Sequence, residues 1–374
     1  MASNGASAVV SSLVDLDLAM SAQDDLSSVC QAMVFFAESP SIIVAFALKF
    51  VCGLVALVLF GVLIVVKPKQ RSIHHNAYAL LTAHFIFVFI GSIGVMVNDG
   101  FDLFRLTVFR KQVPYTPGST SCGIFAMPAI YGAFMRLVTF FGNSGSSISM
   151  FALAIERTIA TLKARSYEQE KSRRLSNVLI LTSVWVTVGA MLYLVNYINF
   201  RRYLPMQSLT AEAADPGTYV LCSCGVLEVL NIFILVALWL SNHKWKTTDN
   251  RIAASLSQKY QVEENIQTTS FLIPLAFLHV VINGIAYITM VIGIFYSPNL
   301  QDKLKIVITR DVMPIYDLLL PAVTLVRLAW RKRKAAKNKG RVTANVEDAS
   351  TGRHFEILNG MFDKALDKKR PNRK

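Results

Sequence analysis

The chain has 374 residues, of which 53% are hydrophobic and 17% charged, and its formal net charge is +14 at neutral pH. Soluble domains carry about a quarter charged residues. The composition therefore argues against a soluble globular protein and favours a chain embedded in lipid. The basic excess is compatible with nucleic acid or with the cytoplasmic face of a membrane, and the positions of the basic residues must decide between them.

Seven apolar segments follow one another along the chain and predict membrane-spanning helices. The first six approach or exceed the roughly 20 residues that a helix needs to cross the hydrocarbon, and none alternates with the two-residue period of a barrel strand. The seventh is weaker, because it contains Asp317, Arg327 and two prolines. The predicted spans are residues 42–66, 77–97, 125–155, 178–196, 219–240, 271–295 and 312–329.

The distribution of Lys and Arg predicts how these spans are oriented. Residues 1–41 contain no Lys or Arg, whereas the tail holds Arg331-Lys332-Arg333-Lys334 and ends in a second basic cluster. Because basic loops stay on the cytoplasmic side, the two ends lie on opposite sides of the membrane. An odd number of crossings follows, which supports the seventh span. The loop expected after the second span departs from this pattern, since it carries Arg105, Arg110 and Lys111.

The prediction is an all-α integral membrane protein: a seven-transmembrane helix bundle in the plasma membrane, with its N-terminus outside and its C-terminus in the cytoplasm. Its parts are a short extracellular N-terminus (1–41), the bundle (42–329) and a basic cytoplasmic tail (330–374). We expect the start of the tail to form a polybasic helix on anionic membrane lipids. Residues 355–366 predict a short amphipathic stretch, with disorder as the alternative. Nucleic acid is not expected as a partner, because the tail lacks a recognised binding fold.

Four cysteines fall at or near the predicted outer ends, where disulfides can form, while Cys52 lies inside the first span. The four are Cys30, Cys122, Cys222 and Cys224, and they allow three pairings. We expect Cys122 to bridge to Cys222 or Cys224 and so tie the third span to the second outer loop. Free thiols are the alternative.

The sharpest motif is Glu156-Arg157, at the inner end of the third span. An acid followed by an arginine is costly in hydrocarbon. At the inner boundary, Glu156 can hold Arg157 until a rearranged bundle frees the guanidinium for a partner protein. The alternative is an ordinary ion pair that anchors the helix at the interface.

Arg136 is the main candidate for binding a ligand inside the membrane. It precedes Glu156 by about 30 Å of helix, the thickness of the hydrocarbon, and so lies near the outer face. An arginine that faces the bundle would pair with an anionic ligand or with Asp317. The alternative is that it extends to the outer headgroups, which is the favoured interpretation for Lys49.

We interpret the polar residues in the middle of the spans as packing residues and not as ligand-binding or metal-binding residues. The small and polar stretch of residues 142–147 allows close helix approach and interhelical hydrogen bonds. His84 and Asn283 have no companions with metal-ligand spacing, so we expect both to be hydrogen bonded inside the bundle. No metal and no cofactor are expected.

The chain resembles the nematode serpentine chemoreceptors of the Sra superfamily, with the a-beta, beta and epsilon classes closest. The resemblance rests on Ala154-Ile155-Glu156-Arg157, Ala160-Thr161, Ser166-Tyr167-Glu168, His75-Asn76, and on Pro314, Tyr316 and Pro321. It implies a G-protein-coupled chemosensory receptor with a small-molecule or pheromone-like extracellular ligand, a heterotrimeric G protein as partner, and a place in sensory neuron cilia.

Other functional classes fit the sequence less well. A retinal-binding pump would need a lysine inside the seventh span, and residues 312–329 contain none. A seven-span ligand-gated channel would place the N-terminus in the cytoplasm, and a transporter would show repeated halves; these two remain the alternatives. An enzyme is not supported, because no nucleophile, base and orienting group occur in recognisable spacing.

Overall fold

The computed structural model describes residues 26–66, 74–112, 122, 125–163, 173–206, 213–247, 256–296, 305–306 and 308–348. Eight helices account for most of them, namely α1 (Leu26–Glu38), α2 (Pro40–Val66), α3 (His75–Gln112), α4 (Ala129–Leu162), α5 (Arg174–Val195), α6 (Ala214–Thr247), α7 (Leu256–Tyr296) and α8 (Met313–Asp348). Two short strands, β1 (Met127–Pro128) and β2 (Tyr203–Leu204), pair antiparallel.

Seven helices, α2 to α8, are long and apolar enough to cross a membrane. This confirms the predicted seven-helix bundle, and each predicted span overlaps one of these helices. The described chain divides into two compact units, Met1–Pro321 and Ala322–Lys374. The contacts below lie within the first unit. In the second unit, α8 continues as helix through the basic stretch after Trp330 to Asp348. The amphipathic stretch expected at residues 355–366 lies outside the described residues.

Helix α4 is the most enclosed of the seven. In its most apolar part 61% of residues are buried, compared with 17% for α5. The sequence of α4 explains this, since glycines and serines recur along it where the other spans carry Val, Leu and Ile. Small residues let neighbouring backbones approach closely, and α4 packs against α3, α5 and α6.

The closest approach is between α3 and α4. A Cβ atom added to Gly142 would overlap the backbone of Gly91, and one added to Gly145 would overlap the ring of Phe87. The glycines of the 142–147 stretch therefore serve packing, as the sequence predicted.

Helix α3 runs well beyond the predicted end of its span at residue 97. One of its later charges, that of Arg105, is neutralised inside the structure, whereas Arg110 and Lys111 are exposed. Arg105 donates to Asp102 (2.9 Å) and to the carbonyl oxygens of Phe125 and Pro205 (2.6 Å each). Arg105 is thus a buried helix residue and not an outer-loop residue. It no longer counts among the basic residues that depart from the predicted charge pattern.

A disulfide joins Cys30 of α1 to Cys122, with the two Cα atoms 5.5 Å apart and a sequence separation of 92 residues. The expected bridge from Cys122 to Cys222 or Cys224 is wrong, because the sulfur atom of Cys122 is bonded to Cys30. Cys222 and Cys224 are free thiols, and both lie within the membrane-length helix α6. We call this end of the bundle the disulfide end. Here α1 packs its apolar side against the bundle in a cluster that includes Phe36, Phe46 and Leu106.

The glycine contact gives a test of the packing between α3 and α4. We expect Gly142→Ala to lower the free energy of unfolding by roughly 1–3 kcal/mol, because the added methyl group has no space beside Gly91. Gly61→Ala is the matched control, since a Cβ there meets nothing within 4 Å. It should be neutral, or stabilising by up to about 1 kcal/mol. Thermal unfolding of the two purified variants measures this, and equal loss in both would contradict the proposed packing.

Candidate functional site

Among the described residues, α4 contributes to three groups of polar side chains inside the apolar bundle. The first, at the disulfide end, contains Arg136; the second, the central network, contains Ser146 and Ser147; the third, which we call the arginine lock, contains Glu156 and Arg157. From Arg136 to Arg157 is about 30 Å along a helix, so the groups are spaced over the thickness of a membrane.

The arginine lock is a bidentate ion pair. Arg157 donates from Nε to Oε2 of Glu156 (2.6 Å) and from Nη2 to Oε1 (2.5 Å). Both residues are fully buried. The pair is therefore enclosed by protein. An arginine fork on a carboxylate is the strong geometry for such a pair.

Further contacts connect the lock to α6 and α7. Nη1 of Arg157 donates to Oδ1 of Asn265 on α7 (3.3 Å). Thr161, one turn after Arg157 on α4, accepts from Asn242 of α6 (3.2 Å) and from Asn265 (3.5 Å). Gln261 of α7 also donates to Asn265. A relative movement of α4, α6 and α7 therefore has to change the surroundings of Arg157.

The central network joins five helices around two buried histidines. Nε2 of His84 (α3) lies 2.8 Å from the hydroxyl of Tyr316 (α8), and its Nδ1 lies 3.1 Å from the hydroxyl of Ser149 (α4). Ser146 of α4 lies 3.1 Å from Nε2 of His279 (α7), whose ring is 4.3 Å from that of Tyr316. His84 is hydrogen bonded inside the bundle, as the sequence predicted.

Glu228 of α6 is the acid of this network. Its Oε1 accepts from Ser147 of α4 (2.5 Å) and from Asn283 of α7 (2.9 Å), and Nδ1 of His279 is 3.5 Å from the same oxygen. The glutamate is 2% exposed. One carboxylate oxygen thus holds three helices together in the middle of the bundle. Asn283 is hydrogen bonded inside the bundle, as expected.

At the disulfide end, Lys49 and Asp311 connect the first and last spans. Nζ of Lys49 is 3.1 Å from Asp99 of α3 and 3.6 Å from Asp311, which precedes α8. Asp311 also accepts from the backbone N–H of Met313 and so caps the start of α8. The expectation that Lys49 extends to the headgroups is wrong, because its side chain is buried and paired with both carboxylates.

Arg136 has a different partner from the one considered in the sequence. Its Nη2 is 3.8 Å from Asp311, and its side chain is 26% exposed. Asp317, by contrast, is buried beside Ser92 of α3. Its Oδ2 has no hydrogen-bond partner within the described part of the chain. Arg136 and Asp317 therefore belong to different surroundings.

Sequence reasoning missed Glu228 and His279. Glu228 is the one charged residue between Tyr219 and Leu240, and His279 is the one histidine in its span. An ionisable residue inside a membrane span is a functional candidate by default. That signal was present in the sequence, whereas the meeting of the two residues depends on how α6 and α7 pack.

The fold and these three groups define a multi-pass helical membrane protein with an enclosed polar axis. The chain matches the family model described as serpentine type 7TM GPCR receptor class ab chemoreceptor over residues 27–361, and it belongs to that family. It is therefore a serpentine receptor of the nematode Sra superfamily and a multi-pass protein of the plasma membrane. The family is a receptor family and not an enzyme family.

Individual relatives from Caenorhabditis elegans agree with this assignment. Serpentine receptor class alpha/beta-14 is 30% identical over 228 residues, which cover 56% of this chain and 55% of that receptor. Serpentine receptor class beta-16 is 23% identical over 309 residues, with 74% and 78% covered. Serpentine receptor class beta-15 is 23% identical over 324 residues, with 80% and 86% covered. The first match spans about half of the relative, and the other two span most of theirs.

Glu228 offers a test of the central network. In Glu228→Leu the buried amide of Asn283 loses its acceptor, and an unpaired buried group costs about 1–3 kcal/mol. The hydroxyl of Ser147 keeps only its longer contact with the carbonyl oxygen of Asn143 (3.4 Å). Glu228→Gln keeps an acceptor oxygen of the same reach. We expect the Gln variant to melt near the wild type and the Leu variant to melt roughly 5 °C or more below it. A Leu variant as stable as the Gln variant would show that these hydrogen bonds do not hold the helices together.

Proposed function

We propose that this chain is a G-protein-coupled chemosensory receptor in which the disulfide end faces the outside of the cell and the arginine lock faces the cytoplasm. Two observations support this orientation. Disulfides form and persist on the oxidising side of the plasma membrane, and basic residues concentrate on the cytoplasmic side. Family membership supports the receptor role, and the resemblance to chemosensory receptors suggests sensory neuron cilia as the location.

The observation that carries the proposal is the burial of Arg157 between Glu156 and Asn265. In this packing the guanidinium is closed off from any cytoplasmic protein. An extracellular ligand favours a second packing, in which α6 and α7 shift and the lock opens toward a heterotrimeric G protein. The ligand shifts the balance only by as much as it binds the second packing more tightly.

The ligand is a small molecule, and pheromone-like compounds are the class that the family resemblance implies. Arg136 is our proposed contact for an acidic group on it, because its side chain is partly exposed and held only loosely by Asp311. An incoming carboxylate would compete with Asp311 for this guanidinium. Asp317 is the second proposed ligand-pocket residue, because it has one carboxylate oxygen without a hydrogen bond in the described structure.

Basal G-protein activation tests the lock without a known ligand. We expect Glu156→Gln to raise ligand-independent activation several-fold, because the neutral amide holds Arg157 less strongly. Adding Arg157→Ala to this variant should abolish the increase. The assay compares cells with equal surface staining of an N-terminal epitope tag, which also reports the orientation.

Glu263→Gln is the matched control for this experiment. It removes the exposed ion pair between Lys246 and Glu263, which joins α6 to α7 without reaching the lock. Basal activation near the wild-type value is expected, since exposed pairs contribute little. If Glu156→Gln reaches the surface and activates no more than this control, the lock is not the switch. A ligand-evoked current independent of G protein would instead support the channel alternative.

Arg136 gives a separate test of the ligand site. In a screen with small carboxylic acids, an active compound should need roughly 10- to 100-fold higher concentration on Arg136→Ala, since a hydrogen bond to a charged group contributes about 1.5–3 kcal/mol. Arg136→Lys keeps the charge and should lose less. The same half-maximal concentration for all three proteins would exclude Arg136 as a ligand contact.

A further inference from the structure

A cavity of about 330 Å³ lies between α4, α5 and α6, and none of its wall residues belongs to the three polar groups described above. Ser144 and Ile148 of α4 form its inner wall, Ala190 and Tyr193 of α5 one side, and Tyr219 and Leu227 of α6 the other. Its volume is at the lower end of the range of about 300–1,000 Å³ that ligand pockets occupy. The structure therefore contains a concave site of ligand size on the side of the bundle.

The entrance of this cavity faces the bilayer. Tyr219 is 67% exposed, and Val186, another wall residue, is 50% exposed, although both lie on membrane-length helices. Surface exposed on such helices contacts lipid chains and not water. A molecule reaches the cavity sideways, out of the membrane.

Two tyrosines lie at one end of the cavity, and the rest of its lining is apolar except for Ser144, Ser223 and Cys224. Tyr193 lies two residues before the end of α5, and its ring centroid is 5.2 Å from that of Tyr197. Tyr219, near the start of α6, lies on the same side of the opening. From Tyr219 to Leu227 the wall extends about 12 Å along α6. Tyrosines near the ends of membrane-spanning helices place their hydroxyl groups at the membrane interface, next to the apolar interior.

The deep end of the cavity borders the central network. Ser147, which lies between the wall residues Ser144 and Ile148, donates to Glu228, which directly follows the wall residue Leu227. A molecule inserted between α4 and α6 therefore lies next to the hydrogen bond that joins these two helices.

We propose that this cavity binds a single-chain amphiphile of the fatty-acid type. Its carboxyl or hydroxyl head lies among the hydroxyls of Tyr193 and Tyr219, and its chain fills the apolar part down to Leu227. The volume is too small for a two-chain phospholipid, and the lateral entrance fits a molecule dissolved in the bilayer. This site is separate from Arg136 and does not depend on coupling to a G protein.

The test uses the full chain in phosphatidylcholine nanodiscs with a fatty acid that carries a photoreactive diazirine on its acyl chain. We expect labelling of the α5 and α6 walls that saturates and falls at least 10-fold with excess unlabelled oleic acid. Ala190→Trp fills the cavity and should remove the labelling. Ala237→Trp places the same ring on an exposed position of α6 outside the cavity and should keep it.

Two further variants serve if Ala190→Trp does not fold. Tyr193→Phe and Tyr219→Phe remove only the hydroxyl groups, and together they should raise the concentration of oleic acid needed for half competition at least 5-fold. Unchanged competition in this double variant overturns the proposal. So does labelling that does not saturate or that is equal in the two tryptophan variants, because it then reports general lipid contact.

Discussion

The burial of Arg157 is the constraint on which the rest of the structure depends. A guanidinium enclosed in a low-dielectric bundle is stable only if its donors are paired. Glu156 supplies the charge and Asn265 supplies a further acceptor from another helix. Glu156 is on the same helix as Arg157, so their ion pair forms within α4, whereas the contact with Asn265 depends on the position of α7. The arginine lock therefore combines an ion pair within α4, which neutralises the charge of Arg157, with a hydrogen bond to Asn265, which depends on the position of α7.

The composition of α4 follows from the same constraint. A helix that brings charged and polar groups into the interior needs neighbours on most sides, and small residues provide the space for them. Gly142 and Gly145 place α3 directly against α4, and this close approach brings His84 within reach of Ser149. The packing residues and the polar network are thus interleaved along one helix, and a change in one alters the geometry of the other.

The parts that could be predicted from sequence are those that depend on one segment at a time. Hydropathy identified six spans because each helix must satisfy its own backbone in lipid, and the charge pattern supported the seventh. The Glu156-Arg157 pair is formed by neighbours in the chain. The disulfide between Cys30 and Cys122 and the ion pair of Lys49 with Asp99 depend on which helices are adjacent. No pattern within a single span contains that information. The extension of α3 has the same origin, since it requires Arg105 to find acceptors far away in sequence.

The three polar groups also explain how a change at one end of the bundle can reach the other. A straight helix can transmit a displacement, but this alone does not create a second arrangement of the bundle. Two alternative packings require contacts that can be exchanged between helices. The central network provides such contacts, because Glu228 accepts from α4 and α7 on one oxygen and His279 lies close to that oxygen without a hydrogen bond from its Nδ1 among the described residues. Exchange of a donor at Glu228 would shift α6 against α7, the two helices whose side chains meet Thr161 beside the arginine lock. At the central network, a displacement of one helix can therefore switch the bundle from one packing to the other.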